Sequence, residues 1–292
     1  QHDLYTLYVN LSGKKTLAAH MREKGEHYGR TEGRDFALAA EVEMNFPTVL
    51  VKYEWDGRAK PQSTNVDCRS YKQIDPMNIG FMQSQKPYLV SFSWWDTGRH
   101  AEIENGQQAH GNDSIRLIQK LLAETPSGSA FVDVGANVGF MTFSGAVQGH
   151  PTFAIDPISY NVAKLCEGKM ANVDSGAFQE DMVHVIHAAA GAENKPQILM
   201  TRPADDVGFF DQSSLARTAV HQQKVTTETI PMVTIDSVTE IPIGVVKIDV
   251  QGFEYGVIQG MKKMLENSPP NYVLYEEDPG MIREAGFVPG AS

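Results

Sequence analysis

A chain of 292 residues is long enough for one large domain or two small ones. Its 41% hydrophobic and 21% charged content is that of a globular protein, and no apolar run reaches the ~20 residues of a membrane-spanning helix. Residues 1–112 hold 13 Lys+Arg against 14 Asp+Glu and residues 113–292 hold 12 against 22, so the C-terminal part is strongly acidic and ill suited to a nucleic-acid partner, whose phosphates are held by Lys and Arg.

The chain begins with Gln1 rather than Met, and Asn10-Leu11-Ser12 and Asn112-Asp113-Ser114 are glycosylation sequons. Together these lean towards an endomembrane, secreted or organellar location after removal of a leader. Residues 16–24 and 33–46 have helix-forming composition, the second ended by Pro47. Residues 48–55 (TVLVKYEW) and 88–95 (YLVSFSWW) read as strands, and the polar, Pro-punctuated residues 60–77 as loop. Trp55, Trp94 and Trp95 fall in this half; Trp pairs can line a sugar site but serve more often as core. Cys68 and Cys166 are too few for a disulfide framework, and Cys166 reads as helix packing.

Asn112 or Asp113 suits the N-cap of a helix to Ala123 with Ile115, Ile118, Leu121 and Leu122 on one side. Beyond the breaker at residues 125–129, strand and helix patterns alternate. Strands begin at Phe131, Thr152 and Val183, and helices at Val138 and Tyr160, which predicts a parallel sheet covered on both faces. Residues 197–235 read as a hairpin-like excursion over the ligand edge. A fourth strand at Val245–Ile248, a helix over residues 255–265 and a fifth strand at Asn271–Tyr275 follow.

Phe131 to Phe143 (FVDVGANVGFMTF) is the centre of this pattern. A buried-strand run carrying Asp133 leads into Gly135-Ala136-Asn137-Val138-Gly139 and a helix start, a place where backbone N–H groups can face a ligand. The next strand ends in Asp156, whose carboxylate suits the two hydroxyls of a ribose. Both positions lie at the carboxyl ends of strands, where ligands of such sheets bind.

These residues resemble motif I of S-adenosylmethionine-dependent methyltransferases, specifically the FkbM family. Residues 183–191 (VHVIHAAAG), Ser213-Ser214-Leu215, residues 233–238 (VTIDSV) and residues 246–254 (VKIDVQGFE) resemble further family elements in order, so the likeness spans Ser114 to Phe287. It implies an α/β fold: a doubly wound, mostly parallel sheet of the Rossmann-like class I methyltransferase type over residues 113–292, behind an α+β region of residues 1–112. It also implies S-adenosylmethionine as cofactor, with Asp133, Gly135, Asn137, Gly139 and Asp156 as cofactor residues. The expected activity is O-methylation of a glycan, glycolipid or polyketide-like acceptor. Two antiparallel edge strands usual in the class have no counterpart before Ser292. They lie outside the chain, or the edge is closed by the N-terminal region or by a protein partner.

A hydroxyl acceptor must lose its proton, which a carboxylate can take. Asp249, where the fourth strand opens, and Glu254, at the next helix start, are the candidate catalytic residues, with Asp249 favoured as base. Gln251 stands where the family often has glutamate and cannot serve as a base. No HExxH, CxxC or GxSxG pattern occurs, and His20, His27, His100, His110 and His221 read as solvated, so no metal site or covalent nucleophile is expected. Two other readings compete: a catalytically silent domain serving as a structural subunit, and a nucleotide-binding oxidoreductase. The second lacks the three-glycine fingerprint.

Overall fold

The computed structural model describes residues 6–10, 65–70, 78–82, 86–92, 112–203 and 225–276. The helices expected at residues 16–24 and 33–46, the strand at 48–55, all three tryptophans and Ser213-Ser214 lie outside them.

Five short strands form the centre: β4 (Ala130–Val134), β5 (Thr152–Asp156), β6 (Val183–His187), β10 (Ile243–Ile248) and β11 (Tyr272–Glu276). They run parallel in the order β11-β10-β4-β5-β6. Strands covered on both faces need apolar residues at nearly every position, and β4, β5 and β10 are buried throughout. On one face pack α1 (Asn112–Ala123), α2 (Phe140–Ala146) and α3 (Ser159–Asp174), through Ile118, Leu122, Phe143, Val162 and Leu165. The other face is covered by α4 (Glu254–Gln259) and α5 (Lys262–Asn267), with Val257 and Met261 against Val132, Val246 and Val273.

The single helix expected over residues 255–265 is two short ones. Gly260 lies between them, and a Cβ there would stand 2.0 Å from the Gly191 carbonyl oxygen. Close approach of two backbones sets this break. The hairpin-like excursion is present as a second sheet in which β9 (Val225–Val233) lies between β7 (Ala189–Ala190) and β8 (Lys195–Pro203), antiparallel to β8.

Both edges of the main sheet meet segments from the N-terminal region. β1 (Thr6–Asn10) pairs antiparallel with β11, from Thr6 opposite Glu276 to Asn10 opposite Tyr272. At the far edge Asn65 bridges Ile186, and the Val66 N–H donates to the Val185 carbonyl at 2.8 Å. Cys68 of that strap is disulfide-bonded to Cys166 on α3, so the reading of Cys166 as packing alone is corrected. The cysteines sit 98 positions apart, and no local pattern announces the pair.

A hairpin of β2 (Asn78–Met82) and β3 (Tyr88–Phe92) lies against α3. The Asn172 side chain accepts from the Leu89 N–H at 2.8 Å and donates to its carbonyl at 2.7 Å, taking the place of a neighbouring strand. Edge strands left unpaired invite association, and here side chains and short straps satisfy them.

Candidate functional site

The carboxyl ends of β4, β5 and β10 converge on the glycine turn. Gly135 (φ 74°) and Gly139 (φ 99°) are in the left-handed region, as is Asn137 (φ 51°), which has a side chain. A Cβ at 135 would lie 1.8 Å from the Asp249 carbonyl oxygen, and one at 139 would lie 2.5 Å from the Phe143 ring. These glycines are therefore required by the chain's own packing and backbone conformation.

The N–H groups of Gly135, Ala136, Asn137 and Gly139 are engaged within the chain. Gly135 and Ala136 donate to the Ile155 carbonyl at 2.9 and 3.1 Å, Asn137 to Asp156 Oδ2 at 2.8 Å, and Gly139 to the Ala136 carbonyl at 3.0 Å. What the turn leaves to solvent is the half-buried Asn137, whose side-chain amide has no partner among the described residues.

Asp156 sits at the end of β5, 3% exposed. Its Oδ1 accepts from the Ile158 N–H at 3.0 Å and Asn161 Nδ2 at 3.1 Å, while Oδ2 holds the turn at Asn137. Burial pushes its carboxyl up to about 7, against the pull of those donors and of Lys247. A carboxylate has about four acceptor positions. Three are used here, so one is left for a ribose hydroxyl rather than the free pair the sequence implies.

Asp133 is fully buried: Oδ2 accepts from Thr142 Oγ1 at 2.6 Å, and Oδ1 lies 3.3 Å from Lys247 Nζ. Its carboxylate braces β4, β10 and α2 from within the core. Glu254 is also buried, 1% exposed, with Oε1 accepting from the N–H groups of Val250 (3.0 Å) and Gly252 (3.1 Å). Burial raises its pKa, and the nearby Asp249 adds to the rise. Through these two bonds it clamps the loop after β10. That loop is tightly wound, with Gln251 at φ 54° and Gly252 at φ 98°.

Asp249 is different. Its side chain is 36% exposed, Oδ1 accepts from Gln251 Nε2 at 2.9 Å, and Oδ2 lies 3.5 Å from Lys247 Nζ. Lys247 itself donates to the Gly135 carbonyl at 2.7 Å. It is not among the residues singled out from the sequence, although a lysine within the apolar run IGVVKI is a visible signal. Beside Asp156, the Ser159 hydroxyl donates to Glu228 of β9, and His187 Nε2 lies 3.2 Å from the Pro157 carbonyl and 3.9 Å from Glu228. These polar residues at the ends of β5 and β6 also have no sequence motif of their own.

Residues 133–287, just over half of the chain, match the family described as the methyltransferase FkbM domain. The chain belongs to the FkbM methyltransferase family. Among solved structures it is similar to the crystal structure of methyltransferase FkbM from Methylobacillus flagellatus KT, at 17% identity and a TM-score of 0.36, over 49% of this chain and 32% of that one. The FkbM chain described here thus corresponds to about a third of that protein's length. No curated protein matches it.

The donor set fits a cationic methyl donor. At this edge the Asp249 carboxylate is partly exposed, Asp156 and Lys247 are buried beside the turn, and Asn137 offers a side-chain amide. Among the described residues no cluster of His, Cys, Asp and Glu could hold a metal ion.

Proposed function

We propose that this FkbM methyltransferase uses S-adenosylmethionine to methylate a hydroxyl oxygen, on a glycan, glycolipid or polyketide-like acceptor. The observation that carries the reading is the exposure of Asp249. Of the carboxylates on the carboxyl ends of β4, β5 and β10, Asp133 and Asp156 are buried in holding the turn, whereas Asp249 is 36% exposed. When bound, the cofactor supplies an electrophilic methyl on a positively charged sulfur. Asn137 and the remaining acceptor position of Asp156 hold its polar groups, and Gly135 and Gly139 shape the turn beside it. Asp249 takes the proton of the acceptor hydroxyl, and the loop clamped by Glu254 keeps that carboxylate in place. General bases contribute about 10²–10⁴ in rate. Asp249→Asn is therefore expected to lower turnover on a hydroxyl acceptor by that factor, while S-adenosylhomocysteine affinity by calorimetry stays within about threefold. Loss of affinity, with turnover reduced only in proportion, would make Asp249 a binding residue instead.

A second reading, a catalytically silent fold within a larger assembly, is favoured by one contact: the Gln251 amide occupies Asp249 Oδ1. Cofactor binding without transfer to any hydroxyl in a broad glycan and lipid screen would favour it. The Cys68–Cys166 disulfide supports maturation in an oxidising compartment.

A further inference from the structure

We propose that Lys247 is a positioning residue of the methyl-donor site, fixing the glycine turn from beneath and tying it to Asp249. This rests on the reading given under Proposed function. Lys247 lies within β10 with Asp133 of β4 as its direct Cα neighbour, and both are buried. A buried ion pair of this kind is seldom more stabilising than apolar residues of equal volume. Packing alone gives no reason for a lysine in this strand.

Its contacts give one. The ammonium donates to the Gly135 carbonyl at 2.7 Å and lies 3.4 Å from the Val134 carbonyl, both at the end of β4. It lies 3.3 Å from Asp133 Oδ1 and 3.5 Å from Asp249 Oδ2. One cation therefore engages the strand end that leads into the donor turn and the residue proposed as base. Gly135 is held on both sides, by its N–H on the Ile155 carbonyl and its carbonyl on Lys247. This restraint acts two residues before Asn137, the half-buried side chain of the turn, which is kept in a left-handed conformation that is unfavourable for a non-glycine residue. Without the ammonium, the Gly135 carbonyl loses this donor, and the turn is held only through its N–H groups, on Ile155, Asp156 and Ala136.

A purely structural lysine and a positioning lysine differ in one respect. Lys247→Met alone leaves Asp133 buried and uncompensated, so both stability and binding should fall. Lys247→Met combined with Asp133→Asn removes both charges and keeps an acceptor for Thr142. The double variant is expected to regain most of the wild-type denaturation midpoint. Its S-adenosylhomocysteine affinity by calorimetry should nevertheless stay at least tenfold weaker. Amide exchange on the same unliganded samples should rise at least tenfold at Ala136 and Asn137, and remain unchanged within β4 and β10. Wild-type affinity in the double variant, or exchange rising evenly across the sheet, would overturn the proposal. A wild-type chain that does not bind S-adenosylhomocysteine would overturn the methyl-donor reading instead, and the exchange pattern would still decide whether Lys247 holds the turn.

Discussion

Asp133, Asp156, Asp249 and Glu254 are acidic residues at or near strand ends, and their sequence positions do not tell them apart. Their surroundings do: a lysine and a threonine around the first, three donors around the second, solvent beside the third, two backbone N–H groups on the fourth. Asp156 carries a measurable consequence. Its carboxyl is raised from 3.8 to about 7, chiefly by burial, so the folded chain holds this proton where the unfolded chain has lost it. The stabilisation is complete below the unfolded pKa and is lost as pH rises through about 7. The urea midpoint of the wild type should therefore fall between about pH 4 and 7 more steeply than that of Asp156→Asn. The variant starts lower, because its amide faces the Asn137 N–H donor to donor. Buried Glu254 and half-buried Asp236, also raised, give slopes of the same sign in both proteins, so the difference between the curves reports Asp156. Parallel curves would contradict the assignment. The carboxylates were legible as candidates because strand ends are where such sheets bind ligands; which one reaches solvent was not, since that depends on Lys247 and Thr142 arriving from other elements.

Elements with a strong local pattern were legible, and those shaped by a distant partner were not. The helix at Asn112–Ala123 follows its apolar periodicity, and β4 and β5 follow their apolar runs. β1 and the strap at residues 65–70 have no such pattern, because their conformation comes from β11, β6 and α3. The helix expected from residue 255 is interrupted at Gly260 by the backbone of Gly191, 69 positions earlier in the chain. Around the strap, the exposed Arg69–Glu180 pair at 2.5 Å adds little, because solvent and salt screen surface ion pairs. The Cys68–Cys166 disulfide is the larger contribution, since it closes a long loop in the unfolded chain. Removing it as Cys68→Ala with Cys166→Ala is expected to cost about 2–4 kcal/mol. The measurement is the denaturant midpoint under oxidising conditions. Equal midpoints for variant and wild type would contradict a stabilising role for this tether.

At the scale of the whole molecule, five parallel strands under helices on both faces put the glycine turn, the end of β5 and the exit of β10 at one edge, and the FkbM family likeness spans the same strands. The alternation of patterns from residue 112 onward made this sheet legible. The way the N-terminal region closes both of its edges was open in the sequence, because edge pairing depends on chain ends meeting across the fold. The proposal made above is that this edge holds a methyl donor. Calorimetric titration of the wild-type chain with S-adenosylhomocysteine, and separately with NAD, tests it most directly. Saturable one-to-one binding of S-adenosylhomocysteine and none of NAD is expected; no heat with the former, or saturable binding of the latter, would contradict a methyl-donor site.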